Sequence, residues 1–108
     1  MAQEKAFEEK IKKHIEMIGG WQVKYFANRM TKKGIPDILA CISGHFIAIE
    51  VKAQNGRSSE LQVYQCNKIR MSGGLAHIVY PSGWEQLKVI LNMLKHDVYD
   101  ITLPLILR

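Results

Sequence analysis

Two carboxylates and an ammonium fall where an apolar chain would ordinarily carry no charge. Asp37 opens the segment Asp37 to Ile42, and Glu50 and Lys52 lie within His45 to Ala53. Both segments are rich in Ile, Leu, Phe and Val, which predicts strands, and the Ser43-Gly44 pair between them predicts a hairpin. With a two-residue loop, Ile42 pairs with His45 and each step outward preserves the pairing, so Asp37 falls opposite Glu50. Directly opposed residues have Cβ atoms about 5 Å apart, and like charges placed so repel unless something compensates. A bound cation compensates. The strand period of two puts Phe46, Ala48, Glu50 and Lys52 on one face and the core-like Ile47, Ile49, Val51 and Ala53 on the other.

Oxygen donors of this kind suit hard cations, Mg2+ or Mn2+, which retain waters and accept phosphate oxygens. Asp37 and Glu50 are then the expected ligands. The metal would polarise a scissile phosphate and help to generate hydroxide, while Lys52 orients the attacking water or stabilises negative charge in the transition state. The expected chemistry is phosphodiester hydrolysis. The competing view makes Asp37 a strand-entry residue after Pro36, and Glu50 and Lys52 a surface ion pair of little energetic weight. Glu-x-Lys alone does not decide between them, because Glu8-Glu9-Lys10 fits the same pattern.

The elements that must position these groups can be read along the chain. Ala6, Phe7, Ile11, Ile15 and Ile18 recur at helical spacing over Gln3 to Ile18, and Gly19-Gly20 ends that helix. Trp21 to Phe26 alternates like a strand, with Trp21, Val23 and Tyr25 on one side. A basic loop follows, carrying Arg29, Lys32 and Lys33 just before the hairpin. Ser58 or Ser59 is placed to cap a helix with Leu61, Tyr64 or Gln65, Ile69 and Cys66 as candidate inward residues, and Gly73-Gly74 stops it. Leu75 to Tyr80 is a short strand, Pro81-Ser82-Gly83 a turn, and Trp84 to Lys95 a helix through Leu87, Ile90, Leu91 and Leu94. The order is α-β-β-β-α-β-α. The apolar tail from Val98 to Arg108 adds an edge strand or joins two subunits.

With 108 residues, a single domain over 1–108 is expected. The net charge of +5 and a pI near 9.3 point toward a polyanionic partner, although many basic proteins bind no nucleic acid. The apolar runs are too short for a membrane span or a signal peptide, so the expected location is cytoplasmic, with association to a nucleoid or viral DNA in a prokaryotic or phage setting. Cys41 and Cys66 have no CxxC spacing and read as buried reduced thiols. The histidines share no ligand spacing. Tyr64, Tyr80 and Trp84 are read as core rather than as stacking platforms.

Gly34-Ile35-Pro36-Asp37 followed by Glu50-Val51-Lys52 resembles the PD-(D/E)XK nuclease superfamily, and specifically its VRR-NUC family. Glu4 stands before Gly19-Gly20 at the spacing of that family's N-terminal helical acid, Lys24 lies in the following strand, Gln62 heads the next helix and Gly73-Gly74 closes it. The resemblance spans about Gln3 to Lys95. It implies a restriction-endonuclease-like fold with a mixed central sheet flanked by helices, and a divalent metal held by Asp37, Glu50 and the main-chain carbonyl of Val51. It gives Gln62 the task of positioning substrate or water, and Glu4 an outer role or contact with a further metal, with Glu8 the alternative one turn later. By the same resemblance the chain is a homodimeric DNA endonuclease acting on branched DNA such as Holliday junctions or flaps. Lys24, Arg29, Lys32, Lys33 and Arg57 are the expected DNA contacts, positioning phosphates without reading sequence. Two rivals remain, a non-catalytic DNA-binding module and a small α/β scaffold domain; neither requires Asp37, Glu50 and Lys52 together.

Overall fold

The computed structural model describes residues 2–108. Five strands form one mixed sheet in the order β1-β2-β3-β4-β5, with β1 at Trp21–Lys24, β2 at Ile38–Ile42, β3 at His45–Val51, β4 at Leu75–Val79 and β5 at Ile106–Leu107. Helices α1 (Ala2–Met17), α2 (Glu60–Met71) and α3 (Trp84–Lys95) flank it. The expected α/β order is present, and the tail supplies the fifth strand, parallel to β4 at the sheet edge. Among the described residues no helix is long and apolar enough to cross a membrane.

The hairpin register follows from its turn. Ser43 and Gly44 both take positive φ, 50° and 83°, the combination of a two-residue type I′ loop. Ile42 accordingly pairs with His45, and the ladder runs out to Ile38 opposite Ile49, so the next step places Asp37 across from Glu50. β3 then passes through α2 to the parallel strand β4, which puts the charged end of β3 at the carboxyl end of a parallel pair. In open α/β sheets that is the usual place for a ligand.

Strand alternation divides the core between the two sheet faces. Phe7, Ile11 and Ile15 of α1 and Leu87, Leu91 and Leu94 of α3 pack against Ile38, Ala40, Ile47, Ile49 and Val51. On the opposite face, Cys66, Val63 and Ile69 of α2 pack against Ala48, Ala76, Ile78 and Tyr80. Glu50 and Lys52 belong to this second face by parity with Ala48.

Several expectations change at the margins. Leu61 and Tyr64 are exposed, because α2 presents Val63, Cys66 and Ile69 inward instead. Tyr64 therefore is not a core aromatic, whereas Tyr80 is buried and Trp84 packs against the main cluster. Cys41 is exposed and only Cys66 is buried. Cys41 is exposed because α2 covers β3 and β4, leaving the part of that face formed by Trp21, Val23, Cys41 and Phe46 open. Ala6 also faces outward, at the edge of the α1 stripe.

The tail is tied down by polar contacts as well as by β5. Arg70 donates to the carbonyls of Ala76 at 3.1 Å and Leu103 at 2.5 Å. His77, fully buried on β4, meets the carbonyl of Pro104 through Nδ1 at 2.8 Å. Burial pushes its pKa down to about 4, which leaves the ring neutral.

Candidate functional site

The site is assembled where β2 begins and β3 ends. Asp37 precedes β2, and its backbone is held by a bond from the Tyr25 amide to its carbonyl at 2.8 Å, continuing the β1–β2 ladder. Its carboxylate reaches across the hairpin: Oδ2 accepts from the Val51 amide at 2.9 Å. Gly34 allows this approach of the Gly34-Ile35-Pro36-Asp37 segment. It has φ +79°, and a Cβ there would lie 2.6 Å from the Leu61 carbonyl oxygen in the first turn of α2. The absence of a side chain lets the loop rest directly on that turn.

Glu50 is almost fully buried, with 3 % of its surface exposed. One oxygen, Oε2, accepts from Gln62 Nε2 at 2.8 Å and from Lys52 Nζ at 3.0 Å. The other, Oε1, is buried with no hydrogen-bond partner. Burial first, and the Asp37 charge second, push the Glu50 carboxyl up to about 7, against the opposing pull of Lys52. This is the behaviour expected of a buried carboxylate set beside a second negative charge.

Gln62 ties the site to the start of α2. Its side-chain oxygen accepts both from Lys52 Nζ at 2.9 Å and from the Ser59 amide at 2.9 Å, and the Ser59 hydroxyl accepts from the Gln62 amide at 3.1 Å. Ser59 and Gln62 thus form a capping box, one half of which also fixes the lysine. Lys52 is buried beside Glu50, its backbone amide bonded to the Val79 carbonyl at 3.0 Å. An exposed ion pair would have neither this burial nor these partners.

Lys24 has a different place from the one expected of a DNA contact. Its ammonium donates to Glu8 Oε2 at 2.8 Å and to Asp37 Oδ1 at 3.2 Å. Despite partial burial, the two carboxylates hold its pKa above the ordinary lysine value. Glu8, not Glu4, links α1 to Asp37, through the Lys24 ammonium that both carboxylates hold. Glu4 acts on the site through its charge, adding to the upward push on Glu50. Both acids line a cleft of about 370 Å3 that opens beside Lys24 and the exposed Phe26. A signal for Glu8 was available in the sequence: it stands two helical turns before Ile15, on the margin of the inward stripe.

Arg29, Lys32, Lys33 and Arg57 are exposed. The loop bearing the first three is shaped by the Asn28 side chain accepting from the Met30 amide at 2.7 Å and by Tyr25 donating to the Lys32 carbonyl at 3.2 Å. Arg57 lies in the turn whose Gly56 carbonyl accepts from Tyr80 at 2.9 Å. The chain therefore gathers six of the expected residues, Lys24, Asp37, Glu50, Val51, Lys52 and Gln62, into one contiguous site, with Arg29, Lys32, Lys33 and Arg57 on exposed loops.

Among the described residues no three His, Cys, Asp or Glu side chains form a metal-holding group. A cation here would rest on two carboxylates, a main-chain carbonyl and water. Such a donor set suits Mg2+ or Mn2+ and fits the bare Oε1 of Glu50, whereas Zn2+ generally takes nitrogen or sulfur donors from His or Cys. Comparisons of the chain with protein-family models, with curated proteins and with solved structures find no match.

Proposed function

We propose that this protein is a divalent-metal-dependent DNA endonuclease of the VRR-NUC type within the PD-(D/E)XK superfamily. The observation that carries the reading is the buried Glu50 carboxylate, with one oxygen bare, set opposite Asp37 and braced by Lys52 and Gln62. Burying a carboxylate that has an unpartnered oxygen is costly unless a ligand completes it.

Asp37, Glu50 and the carbonyl of Val51 are the residues that would hold Mg2+ or Mn2+. When bound, the cation supplies Lewis acidity to a phosphate oxygen and makes water a stronger nucleophile at neutral pH. Lys52 supplies a fixed positive charge for the developing phosphorane, and the Gln62 oxygen keeps its ammonium from swinging away. Asp37 is oriented in advance by the Val51 amide. Arg29, Lys32, Lys33 and Arg57 lie exposed on loops suited to backbone phosphates, so the expected binding is salt-dependent and indifferent to sequence. The basic net charge of +5 agrees with such a partner. The resemblance to VRR-NUC proteins extends the proposal to a homodimer acting on branched DNA.

The test is cleavage of labelled linear duplex, single-stranded, flapped and four-way-junction DNA with Mg2+, Mn2+ or EDTA. Metal-dependent cutting that is lost in folded Asp37→Asn and Lys52→Ala supports the nuclease reading. Binding without cutting would replace it with a DNA-binding module; neither binding nor cutting would leave a scaffold domain.

A further inference from the structure

We infer that the Lys24 ammonium is a built-in cation that occupies the place of a second metal ion, so that the site functions with one divalent cation per chain. This rests on the nuclease reading above, and its test separates the two.

Glu8 Oε2 and Asp37 Oδ1 converge on one point, and that point is filled by Lys24 Nζ at 2.8 and 3.2 Å. Asp37 is thereby shared: Oδ1 faces the ammonium while its other oxygen is turned toward β3 and the Val51 amide. A carboxylate bridging two cationic positions is the arrangement that two-metal phosphodiesterases build with two ions. Here one of the two positions already holds a positive charge fixed to the chain. β1 makes this possible, because Lys24 pairs with Ile38 and so stands beside the residue that follows Asp37, on the sheet face that α1 covers.

Charge bookkeeping supports the same assignment. Glu4, Glu8, Asp37 and Glu50 contribute four negative charges when ionised, and Lys12, Lys24 and Lys52 return three positive ones. The cluster is then short by one, and a single divalent ion leaves it at plus one, matched to one phosphodiester. Without Lys24 the deficit would be two, and one divalent ion would leave the cluster neutral instead of at plus one, so a further cation could be accommodated. The cleft of about 370 Å3 lined by Glu4, Glu8, Lys24 and Phe26 gives the position access to solvent, so a hydrated ion could enter if the ammonium were gone.

The experiment is Mn2+ binding by isothermal titration calorimetry and by electron paramagnetic resonance, on the full chain without DNA. Wild type is expected to bind one Mn2+ per chain. Lys24→Met, which keeps the aliphatic stem, is expected to bind two, and Lys24→Arg one. Adding Glu8→Gln to Lys24→Met should return the count to one. Lys24→Gln, whose amide still donates to the carboxylates, serves as the second uncharged variant and decides the matter if the methionine protein does not fold.

Two ions on wild type, or a single ion on the folded uncharged variant, would overturn the inference while leaving the nuclease reading intact. No ion on wild type, with no metal-dependent cutting, would remove the nuclease reading and the inference with it.

Discussion

Replacing Glu50 by glutamine is expected to stabilise the metal-free protein at neutral pH, although Glu50 is central to the proposed chemistry. In the unfolded chain its carboxyl has an ordinary pKa of 4.5, and in the fold burial and the Asp37 charge raise this to about 7. Between those values the native state keeps a proton that the unfolded state has released. Stability therefore falls as pH rises through this window, and the penalty is complete above the folded pKa. At about 1.4 kcal/mol per pH unit, moving from 4.5 to about 7 corresponds to about 3 kcal/mol. Glutamine never ionises and escapes the penalty. The advantage of Glu50→Gln should be absent below pH 4.5, grow with pH and level off above about 7. Urea unfolding of both proteins in EDTA, followed by circular dichroism from pH 4 to about 8.5, measures the difference and cancels the contribution of the histidines. A stability difference independent of pH, or a glutamine protein weaker than wild type at the alkaline end, would refute the reasoning. Added Mg2+ should narrow the gap by stabilising only wild type, through binding to the native state.

The other predictions concern the supports of the site and the tail. His77, held near pKa 4 by burial, binds its proton in the unfolded chain first, so stability should be lost as pH falls from 6.5 toward 4; its ring resonances should not titrate between about pH 5.5 and 8, and His77→Gln should flatten the acid limb of the unfolding curve. Gly34→Ala should cost about 2 kcal/mol, since the new Cβ would meet the Leu61 carbonyl in a backbone conformation alanine disfavours, and cleavage should fall with it; an alanine protein of wild-type stability would contradict that contact. Arg70→Met removes donors to Ala76 and Leu103 and should cost about 1–3 kcal/mol, with limited proteolysis accelerated between Val98 and Leu103.

Much of the site was legible because a two-residue turn and a strand period of two leave little freedom. Once Ser43-Gly44 is taken as the loop, the positions of Asp37, Glu50 and Lys52 relative to one another follow. The interior of α3 was legible for a similar reason, since Leu87, Ile90, Leu91 and Leu94 face a sheet fully covered on that side. Extent of cover is not written in local periodicity. Leu61, Tyr64 and Cys41 have apolar side chains at plausible inward positions, yet Leu61 and Tyr64 sit on the outward side of α2 and Cys41 lies where α2 does not reach, so their exposure depends on the rotation of one helix and on how far it extends across five strands. The ion pairs of Lys24 were hidden for a different reason. A lysine in a short strand looks like a surface cation until the turn of α1 that carries Glu8 is packed beside it. Choosing between Glu4 and Glu8 likewise requires the rotation of α1, which sequence spacing fixes only to within a turn.

The double duty of the Gln62 oxygen makes two events inseparable. Helix ends are ordinarily the first parts of a helix to fray, and fraying there is harmless when the end only meets water. In this protein the opening turn of α2 holds its Ser59 amide with the same atom that holds Lys52. Each time that turn unwinds, the lysine loses one of its two side-chain partners and keeps only the Glu50 carboxylate, so its ammonium is fixed by both contacts only in the fraction of molecules in which the first turn of α2 is wound. Amide hydrogen exchange at Gln62 and Val63 would then follow the same opening equilibrium as the mobility of the Lys52 ammonium. The stability of a surface helix terminus, a quantity usually without functional weight, sets an upper limit on how often the site is formed.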